Sequence, residues 1–225
     1  MAISGDSTVG QIAAQHPLTA RVFARHDIDY CCGGGRTLRD ACQERGLDTE
    51  TVVEEILKEL ESSNAPNEHQ WDQAPLGDLI DHIVEVYHGG LYEELPRLEL
   101  MARKVLDVHR DKAPEMLPEL LSVYLGLKSE LDQHMAKEER ILFPMIKQGR
   151  GAMTGAPISV MKHEHDSAGV ALRRLRELTN GYEVPAGACN TWRALWHGLA
   201  ALEDSLHEHI HLENNILFPR ALAGG

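Results

Sequence analysis

From Leu76 onward, apolar residues recur every three or four positions in four long stretches. The first, Leu76 to about Val108, carries Leu79, Ile80, Ile83, Val84, Tyr87, Leu91, Leu95 and Leu98 on one stripe, with Pro96 predicting a kink. The second, Pro114 to about Lys147, carries Leu117, Leu120, Leu121, Tyr124, Leu127, Leu131, Met135 and Leu142. The third spans Ile158 to Leu178 and ends at Asn180-Gly181, which predicts a left-handed helix cap; the fourth spans Ala186 to Arg220. Four such helices joined by short or moderate loops predict an all-α architecture, an antiparallel four-helix bundle over residues 76–225. No alternating strand pattern of comparable strength is present.

Residues 1–62 read as a separate small helical domain. Short helices are predicted over Val9–His16 and Leu18–His26, with Pro17 as a natural helix start. The turn Asp29-Tyr30-Cys31-Cys32-Gly33-Gly34-Gly35 comes next, then a helix from Thr37 to Glu44 stopped by Gly46. A last helix, Asp48 to Glu61, has Asp48 as its N-cap and a stripe of Val52, Val53, Ile56, Leu57 and Leu60. Residues 63–75 are polar, contain two prolines and lack periodicity, as a linker does.

Composition narrows the function. The chain has 225 residues, 43% hydrophobic and 25% charged, with a net charge of −13. That charge argues against a nucleic-acid groove or an anionic membrane surface as the main partner. The first residues lack a basic-then-apolar leader, and no run reaches the ~18 apolar residues of a membrane span, so a cytoplasmic protein is expected. Four cysteines are too few for a disulfide framework. The Cα atoms of adjacent Cys31 and Cys32 stand ~3.8 Å apart, too close for an unstrained bond, so reduced thiols are expected. The triple glycine lacks the Lys-Ser/Thr of a phosphate-binding loop.

One pattern occurs twice. H-x-x-x-E-x-x-I-L-F-P runs from His134 through Glu138 to Pro144, and again from His209 through Glu213 to Pro219. Residues four apart on a helix differ by about 40° in azimuth, so each histidine and glutamate share a face. Two such faces turned inward would bury two carboxylates, at a large desolvation cost unless a cation lies between them. Helical phase selects the remaining donors. His88 continues the stripe of Val84, Tyr87 and Leu91, and His165 lies in the run of Ile158, Met161, Val170 and Leu172, whereas His82 and His163 point elsewhere. On the fourth helix, His207 and His211 lie about 200° from His209 and read as a solvated face. The set His88, His134, Glu138, His165, His209 and Glu213 exceeds a closed zinc site and suits two bridged metals with open positions, iron before manganese.

Other residues carry competing readings. Ile-Leu-Phe-Pro after each glutamate is expected to plug the bundle end, shield the metals from water and stop the helix. Glu130, one turn before His134, and Glu164, adjoining His165, read either as bases behind the ligands or as surface ion-pair partners. Cys31 and Cys32 read either as thiols for metal transfer or redox exchange, or as small residues in a tight corner; Cys42 and Cys189 read as buried packing.

Several longer motifs carry a resemblance. Asp29-Tyr30-Cys31-Cys32-Gly33-Gly34, Tyr87-His88, the stretch from His134 to Gly149, Pro157 to Met161, Glu164-His165-Asp166, and Leu212 to Arg220 together resemble the repair-of-iron-centres proteins of bacteria, the YtfE/ScdA type. The resemblance covers nearly the whole chain. It implies a hemerythrin-like di-iron bundle behind a small N-terminal domain bearing the cysteine pair. It also implies repair of iron–sulfur clusters damaged by nitric oxide or peroxide, with iron as what is supplied. The family's metal ligands fall on the six residues chosen above and its cysteine pair on Cys31 and Cys32. The chain departs from the expected pattern at Gly89-Gly90, two glycines where polar helix formers are expected.

Three functions stand as expectations: cluster repair by iron donation to damaged iron–sulfur or scaffold proteins, a di-iron nitric oxide reductase or peroxide scavenger, and a sensor or carrier of nitric oxide or oxygen. The sequence leaves homodimer formation open.

Overall fold

The computed structural model describes residues 3–62 and 71–224. Residues 63–70 of the expected linker lie outside the described residues. The chain divides into two compact units, one of Met1–Ile80, Ile146–Thr154 and His207–Gly225, the other of Asp81–Met145 and Gly155–Leu206.

The first unit begins with α1 (Val9–Gln15), a 3-10 turn (Pro17–Thr19), α2 (Ala20–Arg25), α3 (Leu38–Glu44) and α4 (Thr49–Ser62). Thr8 caps α1 and Thr37 caps α3, each side chain accepting from a backbone N–H three residues on. These two threonines also face each other in an isolated antiparallel bridge, which sets the two helix starts side by side. Val9, Ile12, Val22, Phe23, Ile28, Leu38, Cys42, Val52 and Ile56 fill the core beneath. Leu57, placed on the stripe of α4 by period alone, is 45% exposed.

The second unit holds α6 (Gly89–His109), α7 (Met116–Lys137), α9 (Gly155–Leu178) and the greater part of α10 (Asn190–His211). They are four helices of a bundle around one core, in which Leu91, Leu95, Leu98, Tyr124, Leu127, Leu172, Trp192 and Trp196 are buried. Burial of this much apolar side chain, at ~25 cal/mol per Å², is the main force holding the helices together. Pro96 lies within α6 without ending it. Asn180 and Gly181 both take positive φ, and the Gly181 N–H reaches back to the Arg176 carbonyl at 2.8 Å, closing α9 in a left-handed cap. Val170, assigned to the buried stripe of α9 by sequence, is 59% exposed; the stripe runs Met161, His165, Ala168, Leu172.

Three wide turns interrupt the long helices: Ile83–His88 between α5 (Leu76–His82) and α6, Glu138–Leu142 between α7 and α8 (Phe143–Lys147), and Leu212–Leu217 between α10 and α11 (Phe218–Ala223). Each is π-helical, closed by a bond spanning five residues: Gly89 N–H to Val84, Phe143 N–H to Glu138, and Phe218 N–H to Glu213. In the last two, the residue after the donor is Pro144 or Pro219. Proline has no N–H and its ring collides with the carbonyl four residues back; one extra residue in the turn relieves both problems. The expectation that Ile-Leu-Phe-Pro stops the helix is therefore corrected, since α8 and α11 continue past the proline. Leu142, Phe143, Leu217 and Phe218 are buried, whereas Ile141 is 54% exposed.

Candidate metal centre

Each π turn contains one of the six donor-type residues singled out by sequence: His88 closes the first, Glu138 opens the second, and Glu213 lies in the third. Widened turns of this kind recur at functional sites because they re-aim a side chain without breaking the helix.

Within the second unit, Glu138 is fully buried and divides its two oxygens between two imidazoles. Its Oε2 is 3.4 Å from Nε2 of His88, and its Oε1 is 3.4 Å from Nε2 of His134. Nε2 of His165 lies 3.0 Å from Nε2 of His134, with ring centroids 4.7 Å apart. Three Nε2 atoms and a carboxylate thus converge on one buried volume. The ring of His88 stacks on Phe143, centroids 5.8 Å apart, so the apolar plug also orients a donor.

The outer nitrogens explain the orientation. Nδ1 of His88 is 2.8 Å from Oε1 of Glu139, and Nδ1 of His134 is 2.9 Å from Oε2 of Glu164. A carboxylate accepts only, so each Nδ1 donates its proton outward and each Nε2 faces inward. Glu164 also pairs with the ammonium of Lys137. Burial would raise the Glu164 carboxyl, but Lys137 and then His134 outweigh it and hold the group below its ordinary value. Glu130, weighed alongside Glu164 as a base behind the ligands, is exposed, and the carboxylate behind His134 is Glu164. Glu139 was not singled out by sequence. The signal was present, since a glutamate directly follows Glu138, but only the approach of residue 139 to residue 88 gives it a partner.

Within the first unit, Nε2 of His209 lies 3.2 Å from Oε1 of Glu213, both buried. Within the second unit, His88 with Glu138, and His134 with Glu138 and His165, belong to groups that could hold a metal ion, one ligand atom of each residue lying within 4.8 Å of the others. No lysine or arginine is buried among the described residues, so the charge of two buried carboxylates is best offset by a metal cation. Imidazole nitrogens and carboxylate oxygens are the donors that N/O-preferring divalent ions take.

The remaining histidines have other surroundings. His163 is exposed, and His82 rests its ring against Tyr87, 5.7 Å between centroids. His211 is buried, which corrects the expectation of a solvated face at that position; His207 is half-buried. Its Nδ1 lies 3.2 Å from the Tyr30 carbonyl, and the Tyr30 ring covers it at 5.5 Å.

The cysteine turn belongs to the same unit as His211. Asp29 Oδ1 accepts from the N–H groups of Cys31 and Cys32, each at 3.0 Å, and from the Cys31 thiol at 3.2 Å. Both cysteines are free, their sulfurs 3.8 Å apart. The Cys31 thiol is pushed well above its ordinary value, chiefly by hydrogen bonding to Cys32 and by burial, then by the charges of Cys32 and Asp29. Asn215 donates to the carbonyls of Tyr30 and Cys31, each at 3.1 Å. Gly34 is needed here: a Cβ would stand 2.8 Å from the Tyr30 carbonyl oxygen. Cys42 is buried, but Cys189 is exposed, correcting the expectation of packing; its sulfur sits 3.1 Å from Nε2 of His109 at the start of α10.

Comparison with known proteins agrees with this geometry. Residues 79–221 match the hemerythrin HHE cation-binding domain, and residues 5–60 match a domain of unknown function, DUF542. The iron–sulfur cluster repair protein YtfE of Escherichia coli O17:K52:H18 is 48% identical over 220 residues, covering 97% of this chain and 98% of the relative. That of Escherichia coli O6:K15:H31 matches to the same extent, and that of Escherichia coli O1:K1 is 47% identical over the same shares. Among the described residues, no helix is long and apolar enough to cross a membrane. With its hemerythrin-type bundle and its buried cation-binding groups, the chain belongs to the YtfE family of iron–sulfur cluster repair proteins.

Proposed function

We propose that this protein holds two iron ions on His88, His134, Glu138, His165, His209 and Glu213, and repairs iron–sulfur clusters damaged by nitric oxide or oxidative stress. The iron it supplies is the repair material, and damaged iron–sulfur proteins are its targets. The observation that carries the site is Glu138, whose two oxygens point to two different histidines, as a bridging carboxylate requires. The activity named for the 48% identical relatives supports the repair reading.

In this reading His88 and His134, each with a carboxylate behind its Nδ1, would present Nε2 to the metals together with His165 and His209, and Glu138 and Glu213 would supply the carboxylate donors. Bound there, the metals would supply Lewis acidity and open positions for a small ligand such as nitric oxide or oxygen. Phe143, Leu142, Leu217 and Phe218 keep water from the donors. Cys31 and Cys32 are the thiols assigned to iron transfer, with the Cys31 thiol donating to Asp29 and Cys32 the more accessible of the two.

The test is anaerobic iron loading followed by metal analysis and Mössbauer spectroscopy, then incubation with a nitric oxide-damaged [4Fe–4S] enzyme. Two coupled irons per chain are expected, with loss of a bridge and of iron in Glu138→Leu and Glu213→Leu. Enzyme activity should return as iron leaves the protein. Full loading in both variants, or recovery with no iron lost, would overturn the reading. Steady nitric oxide turnover with iron retained would favour a reductase instead.

A further inference from the structure

We propose that Tyr92 and Glu139 form a solvent-facing latch on His88, and that this latch sets how readily the metal on the His88 side of the centre leaves. The proposal rests on the di-iron reading above and adds to it a route by which one of the two metals is the labile one.

His88 is fully buried, yet its outer nitrogen is held from the surface. Oε1 of Glu139 lies 2.8 Å from Nδ1 of His88 and accepts the Tyr92 hydroxyl at 3.0 Å. The Glu139 side chain is 31% exposed and Tyr92 is 47% exposed, so both holding groups meet solvent. Tyr92 stands one helical turn after His88, on the same face, and the two close on a single carboxylate oxygen. Burial and then the Glu139 carboxylate raise the Tyr92 hydroxyl from its ordinary value, so it stays a donor.

The backbone around His88 adds little restraint of its own. The residue closes a π turn and is followed by Gly89 and Gly90. A Cβ on Gly89 would meet only the Val84 carbonyl, at 3.7 Å, and one on Gly90 would meet nothing within 4 Å. Neither glycine is there to admit a neighbour. Their effect is to leave this stretch of helix with less intrinsic stability than any residue other than proline would give.

The partner imidazole is held differently. Behind His134 stands Glu164, anchored by the ammonium of Lys137, and His134 lies within α7 with no glycine beside it. One side of the centre is therefore backed by an ion pair on ordinary helix, the other by a phenol and a glycine-flanked turn. Freed of Glu139, the His88 ring can place its proton on Nε2, and that change removes a metal donor.

The experiment measures iron release from the anaerobically loaded full-length protein to a ferrous chelator, in wild type, Tyr92→Phe, Glu139→Leu and Glu139→Gln. Glu139→Leu is expected to lose one iron per chain about ten-fold faster or more, in line with the 10–100-fold effect typical of partners behind metal-bound histidines. Tyr92→Phe should give a smaller acceleration, and Glu139→Gln, which keeps an acceptor, should return most of the wild-type rate. Mössbauer spectra of the partly depleted Glu139→Leu protein should show uncoupled iron in the remaining position. Unchanged release in both Glu139→Leu and Tyr92→Phe would overturn the latch. So would equal acceleration of both irons together with a lowered melting temperature of the metal-free protein, since that pattern marks general loosening. A wild-type protein that fails to load two coupled irons would overturn the di-iron reading and the latch with it.

Discussion

Asn215 and Gly34 approach so closely that a Cβ on Gly34 would lie 2.6 Å from Oδ1 of Asn215. The same oxygen would meet a Cβ on Gly10 at 2.4 Å, and the Gly10 N–H donates to the Gly34 carbonyl at 2.8 Å. Two glycines thus make a seat for one amide, and that amide in turn holds the carbonyls of Tyr30 and Cys31.

Gly34→Ala should unseat Asn215, because the second obstacle, the Tyr30 carbonyl at 2.8 Å, is backbone and cannot swing aside. The expected cost is about 2 kcal/mol, the range of small-to-large changes in a packed site. Amide exchange should speed up across residues 29–35, while Gly35→Ala, whose Cβ would meet nothing within 4 Å, should be close to neutral.

Asp29 gathers the cysteine turn through one carboxylate oxygen. Burial would raise its carboxyl, but hydrogen bonds from the Gly33 N–H, the Cys31 thiol and N–H, and the Cys32 N–H together hold it below its ordinary value of 3.8. A depressed acid contributes stability above its unfolded pKa and loses it as pH falls through the lower folded one. Protection of the Cys31 and Cys32 amides should therefore persist at pH 5 and fade only as the pH falls below the ordinary carboxylate value of 3.8. Asp29→Ala should cost about 2 kcal/mol locally and speed alkylation of Cys31, whose thiol loses its acceptor and a neighbouring negative charge.

Cys189 and Cys42 should label in very different order, although their sequence surroundings give both the same expectation of burial. Hydrogen bonds to the sulfur of Cys189, chiefly from the Trp192 N–H and also from Thr191, hold its thiol below its ordinary value, whereas burial raises that of Cys42. With iodoacetamide, followed by mass spectrometry across pH 6 to 9, Cys189 should react first and with a midpoint below that of a free cysteine. Cys42 should react only on unfolding. Reaction of both at one rate would contradict the assignment.

Tyr124 donates its hydroxyl to the Leu95 carbonyl at 2.8 Å inside the bundle core. Tyr124→Phe keeps the ring and removes the bond, so it should destabilise the bundle by about 1 kcal/mol in denaturant titration without changing iron content. A drop in iron content would tie this residue to the centre.

The helices and the donor-type residues were legible because both depend on periodicity within single stretches of chain. A histidine and glutamate four apart share a face wherever the helix is packed, so the repeated motif announces two buried donor pairs before any fold is known. The same arithmetic failed for Val170 and Leu57, where a residue near the edge of a stripe was counted as core. It also missed the three π turns. An added residue per turn shifts the phase of every later position on the helix, and proline after Leu-Phe signals helix end as readily as a widened turn.

Contacts between residues far apart along the chain decided the rest. Glu139 and His88 are 51 positions apart, Tyr30 and His211 are 181, and no local pattern links either pair. The sequence by itself determined four amphipathic helices and a small capped helical unit, and it singled out six candidate donors on chemical grounds. Only the tertiary structure decided which carboxylates stand behind the imidazoles, that His211 is buried rather than solvated, and that Cys189 is exposed. The physical reason is that a helix specifies the azimuth of its own side chains, whereas desolvation and hydrogen-bond partners are supplied by whatever packs against that azimuth.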